Sequence, residues 1–557
     1  MTTDTIEVTP PERSFGQRML DGIERVGNRI PHPAMLFVYL IVGVIILSQI
    51  LYFLNVKATY ETVAPPPQAT HQSEYYGAGS TKPIEVVPEQ PAPAKDYKVQ
   101  HETTKVSGLL TGNGVRHIFT AFVSTFQNFS AMALILVVMI GVGLAEEAGL
   151  IAALVRKLVA VAPPSGLAFI IVLIGVVSSI ASDAGYLVLI PLGAAAYLSV
   201  GRHPLAGMAA GFAGVSAGFG VNFLITPIDT VLTEITNEAI HLTDPSRTID
   251  LTANLWFGIF STILVAIVGA LITTWFVERS LGKYDPSEAG EASAEAGEES
   301  QVTPEAESRG LRFALLGLIG VVIGIALLTA IPGAPLRNPE TGSVIGDSPF
   351  MDSLVFVIMI VFFVCGFCFA RGAGTIKGST AIINAITKQW QTLAGMLLLF
   401  LLIAQFLDYF SYSNIATVAA VKLGDLVERA NVGGIWLLVL FILVTAVIDL
   451  ILTGAVGQWA IFAPIFIPLF LRLNISPATV LAAYRLGDSP LNVITPAMAY
   501  FPLIVIFAQR YRKSAGIGTV IAMMIPYALI LLVVWGLFFI IWYLLGIPLG
   551  PGAPIHL

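Results

Sequence analysis

The residues best suited to chemistry form a polar run inside an apolar stretch, Tyr-Arg-Leu-Gly-Asp-Ser-Pro at positions 484–490. A charged side chain in a membrane-type segment is costly, so it requires a partner or a function. Arg485 and Asp488 are three residues apart, which predicts that they pair on one helix face. The planar guanidinium of Arg485 also fits a carboxylate. The run therefore predicts a site for a substrate carboxylate, with a purely structural ion pair as the alternative.

Two further carboxylates interrupt apolar stretches. Asp183 follows Ser182 in the run Ser-Ser-Ile-Ala-Ser-Asp-Ala-Gly, where hydroxyl and carboxylate oxygens are suitable ligands for a hard cation. Asp449 precedes a second polar run that ends with Trp459. We expect Na⁺ or a proton to bind at Asp183 and Asp449, although Ser and Asp also cap helix N-termini. Trp459 is predicted either to stack on an aromatic substrate or to pack within the protein.

The two halves of the chain carry similar polar breaks. In both, an Asn is followed by Ile-Thr-Pro, beginning at Asn222 in the first half and at Asn492 in the second. We expect Asn222 and Asn492 to contact the substrate. The threonines of the two triplets, Thr226 and Thr495, are expected to offer oxygen ligands to the cation. Asp229 lies in the first break, but that break contains no arginine corresponding to Arg485, so the predicted substrate site is asymmetric.

The composition places these residues in a membrane. Of 557 residues, 56% are hydrophobic and only 12% are charged, which is about half the charged fraction of ordinary soluble domains. Several apolar runs reach the roughly 20 residues that a helix needs to cross a bilayer. The formal net charge of −7 offers no basic surface for nucleic acid. The sequence therefore predicts an all-α integral membrane protein whose partner is the lipid bilayer, with no nucleic-acid partner.

The apolar runs predict nine crossing segments and two re-entrant hairpins. The crossings are 34–55, 118–147, 203–235, 254–278, 313–332, 351–371, 384–410, 478–509 and 518–546. The stretches 163–199 and 434–472 are too long for one crossing and are broken by polar residues, so each is predicted to form a hairpin. Non-helical tips at membrane depth are tolerated where they face protein or a water-filled cavity.

The distribution of basic residues predicts the orientation, because short basic loops lie on the cytoplasmic side. With an N-terminal segment 1–33 in the cytoplasm, every short basic loop falls on the same side. The segment 34–147 then holds the first two transmembrane helices and an external insertion, 56–117, whose proline-rich runs predict irregular, partly extended structure. The linker 279–312 is cytoplasmic, and its acidic, Ala- and Gly-rich stretch predicts disorder.

The two halves flanking the linker resemble each other. The first repeat core, 163–278, runs from a hairpin to a broken helix and then a long helix, and the second core, 434–546, has the same order. The segment 313–410 between them is expected to form scaffold helices. The first hairpin enters from the inside and the second from the outside. The predicted fold is thus an inverted-repeat secondary transporter, whose broken helices place a substrate and ion site near the membrane midplane.

Two motifs point weakly to other chemistry. Gly-x-Ser-x-Gly around Ser216 is typical of a hydrolase nucleophile, but no strand is predicted before it, and small residues at this spacing also allow close helix packing. An intramembrane hydrolase using Ser216, with His203 as the nearest base, is a remote alternative. We expect no enzyme activity. Cys365 and Cys368 lie in an apolar run, where thiols behave as small buried hydrophobic groups.

Four motifs in this order resemble the p-aminobenzoyl-glutamate transporter (AbgT) family. They are SDAGYLVLIPL at 182–192, GVSAGFGVNFLITPIDT at 214–230, QWAIFAPIFIPLF at 458–470 and YRLGDSPLNVITPAMAYFPLI at 484–504. The resemblance extends from about residue 15 to residue 546, and the external insertion and the acidic linker are its least typical parts.

The resemblance implies a homodimer in the inner membrane of a bacterium, with nine transmembrane helices and two hairpins in each subunit. It implies cation-coupled transport of p-aminobenzoyl-glutamate or related aryl carboxylates. The alternative is proton-driven export of p-aminobenzoate and sulfonamide-type antimetabolites. No cofactor is implied other than Na⁺ or H⁺ as the coupling ion. The family's functional residues fall on Asp183, Trp459, Pro477, Arg485 and Asp488. This chain has Asp449 where the family usually has Asn, and the extra carboxylate would favour proton coupling.

Overall fold

Apolar helices account for most of the chain. The computed structural model describes residues 33–64, 98–181, 185–288, 303–344, 348–430, 433–450, 452, 454–495, 498 and 500–557. Within these ranges, 8 helical stretches are long and apolar enough to cross a membrane. They are Ala34–Phe53, Gly112–Glu147, Leu255–Leu281, Pro304–Thr329, Leu354–Ala373, Ala394–Tyr412, Ala455–Arg472 and Ile517–Leu544. The predicted all-α membrane fold is confirmed.

The predicted broken helices 203–235 and 478–509 are interrupted in the structure, as their glycine and proline residues indicate. Two other segments differ from the prediction. The second arm of the predicted hairpin 434–472 is long enough to cross a membrane by itself. The predicted crossing 384–410 is too long, because the helical path breaks at Leu393 and only the part after it is a long apolar helix.

The N-terminal part contains helix α1 (Pro33–Phe53) and a two-stranded antiparallel sheet of β1 (Lys57–Ala64) and β2 (Lys98–Lys105), with Lys57 opposite Lys105. The insertion 56–117, predicted to be irregular and partly extended, thus contains an extended strand towards each of its ends. Both strands contain β-branched Thr and Val residues, which favour extended structure. Residues 65–97 of the insertion lie outside the described residues. Helix α2 (Gly112–Gln127) follows the sheet and starts before the predicted boundary.

The first repeat contains an amphipathic helix that the apolar runs did not predict. Its elements are α3 (Ser130–Glu147), the amphipathic α4 (Leu150–Ala160), the hairpin arms α5 (Leu167–Ser178) and α6 (Ile190–Ser199), the broken helix α7 (Pro204–Phe212) and α8 (Pro227–His241), and α9 (Leu255–Ile272), which is extended by α10 (Glu278–Leu281). Single π-helical turns precede α6 and follow α7 and α9.

The linker is shorter than predicted. Helix α11 (Pro304–Thr329) begins within the segment expected to be disordered, and the Oγ1 atom of Thr303 caps it by accepting a hydrogen bond from the Ala306 amide. Glu307 in its first turn pairs with Arg156 of α4. At the other end of the linker, the Glu288 carboxylate lies 2.9 Å from Nε of Arg512. Ion pairs with the body of the protein therefore order both ends, and residues 289–302 lie outside the described residues.

The scaffold and the second repeat complete the chain. After α11 come α12 (Pro349–Asp352), α13 (Leu354–Ala373) and α14 (Ser379–Thr392), and α13 packs between α11 and α3. The second repeat then contains α15 (Ala394–Tyr412), α16 (Ile415–Ala430), the hairpin arms α17 (Gly434–Asp449) and α18 (Ala455–Arg472), the broken helix α19 (Pro477–Asp488) and α20 (Phe501–Tyr511), and α21 (Ile517–Leu544).

The repeats correspond element by element over a longer segment than predicted. The predicted cores begin at the hairpins, but in the structure an apolar helix and an amphipathic helix precede each hairpin, α3 and α4 in the first repeat and α15 and α16 in the second. Amphipathic helices contain polar residues at regular intervals, so a search for apolar runs does not detect them. The internal repeat thus extends from α3 to α10 and from α15 to α21.

Small residues allow the first hairpin to lie directly against the broken helix of its own repeat. A Cβ atom on Gly175 of α5 would lie 2.7 Å from Cα of Gly214, and a Cβ atom on Gly214 would lie 3.0 Å from Cα of Val172. Both distances are far below ordinary contact, and the obstructing atoms belong to the backbone, which cannot rotate away. The two backbones therefore touch in the manner typical of small residues in membrane helices.

We expect Gly214→Ala to destabilise the protein by about 1–3 kcal/mol, because overpacking a tight contact displaces backbone. The measurement is the thermal unfolding of the purified protein in detergent. Gly324→Ala in α11 is the matched control, since a Cβ atom there meets nothing within 4 Å and alanine favours helix. Equal stability of the two variants would show that the hairpin does not need this contact.

Candidate functional site

The two broken helices meet at their interruptions. Gly220, in the break between α7 and α8, lies against α19, since a Cβ atom on it would be 2.8 Å from the carbonyl oxygen of Arg485. The Ser216 hydroxyl, in the π-helical turn after α7, donates to Sδ of Met498 in the other break at 3.4 Å. The first and second repeats thus contribute backbone and side chains to one buried region.

An ion pair between the repeats lies at the centre of this region. The Arg485 guanidinium of α19 pairs with Oδ1 of Asp229 in α8, and its Nη1 atom also lies 3.4 Å from the carbonyl oxygen of Gly220. Oδ2 of Asp229 accepts hydrogen bonds from the Thr226 amide at 2.6 Å and from the Thr226 hydroxyl at 2.8 Å. Asp229 therefore caps the first turn of α8 and neutralises Arg485 at the same time.

The predicted pairing of Arg485 with Asp488 is wrong. The spacing of three residues permits the pair, but the Arg485 side chain extends to the other repeat, while Oδ1 of Asp488 lies 3.1 Å from the Tyr484 hydroxyl within α19. Asn492, predicted to contact the substrate, donates from Nδ2 to the backbone carbonyl of Asp488 at 2.7 Å. Asn492 therefore stabilises the end of α19 in this conformation.

Asp449 is a buried carboxyl group at the end of α17. It is fully buried, and neither of its oxygens has a hydrogen-bond partner among the described residues; the same holds for Oγ1 of Thr445, one turn earlier. Gly487 allows α19 to approach this point, because a Cβ atom on it would lie 2.6 Å from Cβ of Thr445. A buried carboxylate without a partner is costly. A proton on Asp449 would remove this buried charge, and a bound cation would balance it.

Of the other predicted cation ligands, two are described by the structure, and the hydroxyl groups of both make hydrogen bonds within the protein. Thr226 takes part in the cap of α8, and the Thr495 hydroxyl donates to the Leu491 carbonyl at 3.2 Å. Ser182 and Asp183 lie outside the described residues. In the part of the chain that is described, no three His, Cys, Asp or Glu side chains are grouped to hold a metal ion.

Trp459 of α18 is fully buried and satisfied in this conformation. Its indole Nε1 lies 3.0 Å from Oγ1 of Thr236 and 3.2 Å from the Leu232 carbonyl, and its ring centroid is 4.5 Å from that of Tyr484. In this conformation the Trp459 ring packs within the protein, which is one of the two roles that the sequence predicted for it. Pro477 is buried at the first position of α19, where its missing amide proton costs no hydrogen bond.

Asn222 connects the first break to the first hairpin. Its Nδ2 lies 2.9 Å from Oγ of Ser179 and 3.2 Å from the carbonyl oxygen of Val177, and its Oδ1 accepts from the Leu224 amide at 3.2 Å. These bonds hold the break against the C-terminal end of α5, where the chain continues as a 3-10 helical turn, Ser179–Ala181. Asn222 also lines a small cleft together with Arg485.

This cleft is the polar cavity nearest to the ion pair. Arg485 and Asp229 line it together with Asn222, Asn254 and Phe257, and its volume is about 30 Å³. Pockets that hold whole drug-sized ligands are roughly 300–1,000 Å³, so the conformation is closed around the site. Sequence reasoning did not select Asp229 or Asn254 as site residues. The pattern Thr-Pro-Ile-Asp at 226–229 is a capping signature and was the available signal for Asp229.

Ser216 does not have the surroundings of a hydrolase nucleophile. Ser216 lies within a π-helical turn between helical segments, whereas a nucleophile elbow requires a strand-to-helix turn. Ser216 is fully buried, and its hydroxyl donates to a methionine sulfur rather than to a base. His203 instead caps α7, since its Nδ1 accepts from the Leu205 amide at 3.2 Å.

These observations define a class of protein: a multi-pass membrane transporter built from two repeats, with broken helices that meet at a buried charged site. The model of the AbgT putative transporter family matches residues 18–557, so the chain belongs to this family. The p-aminobenzoyl-glutamate transport protein of Escherichia coli K12 is 30% identical over 542 residues, which is 97% of this chain and 98% of the relative.

Two solved structures share the fold. The YdaH transporter of Alcanivorax borkumensis is 37% identical, with a TM-score of 0.81, and the match covers 94% of this chain and all of that one. MtrF of Neisseria gonorrhoeae, described as illuminating a class of antimetabolite efflux pumps, is 36% identical with a TM-score of 0.81 over 96% of this chain and all of that one. The resemblance inferred from the four motifs is confirmed.

We expect Asp229→Ala to destabilise the protein by about 3–5 kcal/mol, because it leaves the buried Arg485 charge without its partner and removes the cap of α8. Chemical or thermal unfolding in detergent measures the loss. Asp244→Ala is the matched control: its ion pair with Arg247 is exposed, and such pairs contribute about 0–1 kcal/mol. If both variants lose the same small amount, the Arg485–Asp229 pair is not a structural link between the repeats.

Proposed function

We propose that this transporter moves p-aminobenzoyl-glutamate or related aryl carboxylates across a membrane by coupling to a cation gradient. The name of the Escherichia coli relative supports this substrate class. A carboxylate requires a cationic partner wherever it leaves water, and Arg485 supplies one inside the fold. The broken helices on either side of it are typical of transporters that expose one site alternately to the two faces of the membrane.

The observation that carries this proposal is the state of the Arg485 side chain. Arg485 is 8% exposed and lines the cleft, and its Nε has no hydrogen-bond partner among the described residues, while Nη1 contacts Asp229. The guanidinium therefore has a donor left for a second anion. A substrate carboxylate would share the guanidinium with Asp229 or displace it. Because the cleft is too small for an aryl ring, substrate entry requires the repeats to separate around this point.

Coupling to a cation is assigned to the carboxyl groups behind Arg485. Asp449 and Asp488 are both buried, and Arg485 is already neutralised by Asp229. A cation or proton at Asp449 would remove a buried negative charge, and its release would restore that charge. Asp183, which precedes the first π-helical turn, is the proposed partner from the first hairpin. Na⁺ and H⁺ both remain candidates as the coupling ion.

Export of antimetabolites is the second candidate, supported by the description of MtrF. The same site chemistry serves p-aminobenzoate and its structural mimics, since both place an aryl ring beside an anionic or polar group. Under an inward cation gradient, import requires substrate and cation to cross the membrane together, whereas export requires them to cross in opposite directions. The direction of flux in whole cells exposed to a sulfonamide separates the two candidates.

The proposed setting is the inner membrane of a bacterium, with a cytoplasmic N-terminus and two subunits in the assembly. The short basic loops support this orientation because they fall on one side of the predicted topology. The outward surface of helix α11, which carries exposed Leu315, Leu316 and Ile323 side chains, requires lipid or a second subunit to cover it.

Wild-type protein in proteoliposomes is expected to accumulate labelled p-aminobenzoyl-glutamate only under an imposed Na⁺ or proton gradient. Arg485→Lys keeps the charge but loses the planar fork, so substrate affinity should fall about tenfold to a hundredfold. Arg247→Lys, in an exposed ion pair, is the control and should behave like wild type. Flux in wild type that does not depend on either gradient removes the proposed coupling, absence of any flux removes the transport proposal, and normal affinity of Arg485→Lys removes the role of Arg485.

Asp449→Asn is expected to uncouple transport from a proton gradient, because an amide preserves the shape of the side chain but cannot take up a proton. Gradient-driven accumulation should be lost, whereas exchange of internal for external substrate should continue. The control is Asp352→Asn, which changes an exposed carboxylate at the end of α12. Accumulation at the wild-type level in Asp449→Asn would show that coupling does not pass through this residue.

A further inference from the structure

Asn254 is a polar side chain whose hydrogen bonds are missing from the fold. It occupies the N-cap position of α9, yet its side chain makes no capping bond. Both its Oδ1 and its Nδ2 are buried without a partner among the described residues. Leaving a buried donor or acceptor unpaired costs about 1–3 kcal/mol. A native asparagine in this state therefore needs an explanation.

The side chain of Asn254 lies in the same cleft as the substrate residue Arg485. The two residues line the cavity together, and each presents a buried nitrogen that has no partner within the described ranges: Nδ2 of Asn254 and Nε of Arg485. They come from different repeats, α9 of the first and α19 of the second. Two unpaired donors on residues that line one cavity are a typical arrangement for an oxyanion.

The size of the cleft selects the part of a ligand that fits. Its volume of about 30 Å³ exceeds the roughly 10–15 Å³ needed for one water molecule. A carboxylate group therefore fits at the level of Asn254 and Arg485, while an attached ring remains outside until the cleft opens. The cleft thus matches the anionic end of the proposed substrate rather than its aromatic part.

The charges around the cleft are compatible with an anion. Asp229 is neutralised by Arg485 and by its two hydrogen bonds from Thr226. Asp250 also lines the cleft, but it is exposed, so water screens its charge more strongly than charges at the buried base. The N-terminus of the 18-residue helix α9 adds partial positive charge beside Asn254.

We propose that Asn254 is a specificity-determining residue that binds the substrate carboxylate together with Arg485. Nδ2 of Asn254 donates to one carboxylate oxygen and Nε of Arg485 donates to the other. The inference rests on the proposed function, since it names the second residue of the same substrate site. Its consequence is selection: a neutral carboxamide of the same shape lacks the negative charge that strengthens the hydrogen bond from Arg485, so it binds more weakly than the acid.

Binding of benzoate and benzamide to the purified full-length protein in detergent tests this inference. Wild type should bind benzoate more tightly than benzamide. Asn254→Leu, which keeps the branched shape of the side chain and removes the donor, should weaken benzoate binding about tenfold. Asn254→Asp should weaken it about a hundredfold, because two like charges then face each other. Benzamide binding should change little in Asn254→Leu, so the ratio between the two ligands should fall.

Asn338→Asp is the matched control for the added charge. Oδ1 of Asn338 accepts hydrogen bonds from the amides of Glu340 and Thr341 in an exposed loop, and an aspartate can accept the same bonds. This variant should bind benzoate like wild type. The thermal unfolding of each variant is measured alongside, and Asn254→Leu should be as stable as wild type or more stable, since it removes an unpaired polar group.

The outcomes separate this inference from the proposed function. Wild-type selectivity for benzoate in Asn254→Leu and Asn254→Asp overturns the role of Asn254, even if p-aminobenzoyl-glutamate is transported normally. Failure of wild type to prefer benzoate over benzamide overturns it as well. Absence of gradient-driven flux in wild type, with selectivity that depends on Asn254, removes the transport proposal and leaves a carboxylate-binding site.

Discussion

The ion pair between Arg485 and Asp229 is the interaction on which the rest of the site depends. Charges in a membrane-embedded core must be paired, because their desolvation is not repaid by lipid. Here the two members of the pair come from opposite repeats. Any motion that separates the repeats must therefore break this pair or replace one partner. A substrate carboxylate is a suitable replacement, which connects substrate binding directly to the rearrangement of the broken helices.

The fold can hold charged groups at this depth because both helices are interrupted there. An uninterrupted helix satisfies its own backbone and offers only side chains, whereas a break releases carbonyl and amide groups. Asn222 and Asn492 bond to backbone carbonyls near the two breaks. Close approach of the backbones at Gly175 and Gly214 then fixes the first hairpin against its broken helix. The site thus uses backbone carbonyl and amide groups that are free because glycine and proline interrupt the helices.

Much of the architecture follows from the order of apolar and polar residues. The long helices, both interrupted helices and the internal repeat were all predicted, since hydrophobic runs of bilayer length have few alternative structures in lipid. The amphipathic helices α4 and α16 and the ordered ends of the linker were missed. Polar residues interrupt the apolar pattern of α4 and α16 and dominate the linker. What orders the ends of the linker is contact with distant parts of the chain, such as Glu288 with Arg512 and Glu307 with Arg156.

The sequence by itself determined the membrane class, the family and the presence of Arg485, Asp488 and Asp449 inside apolar segments, because the cost of burying charge makes such residues conspicuous in any single chain. Only the tertiary structure decided their partners. Spacing along α19 offered Asp488 to Arg485, but the folded chain brings Asp229 from 256 residues away and places Asn254 in the same cleft. The spacing of residues along the sequence predicts which side chains can meet on one helix. Contacts between the two repeats depend on how the helices pack, and a local sequence pattern does not predict that packing.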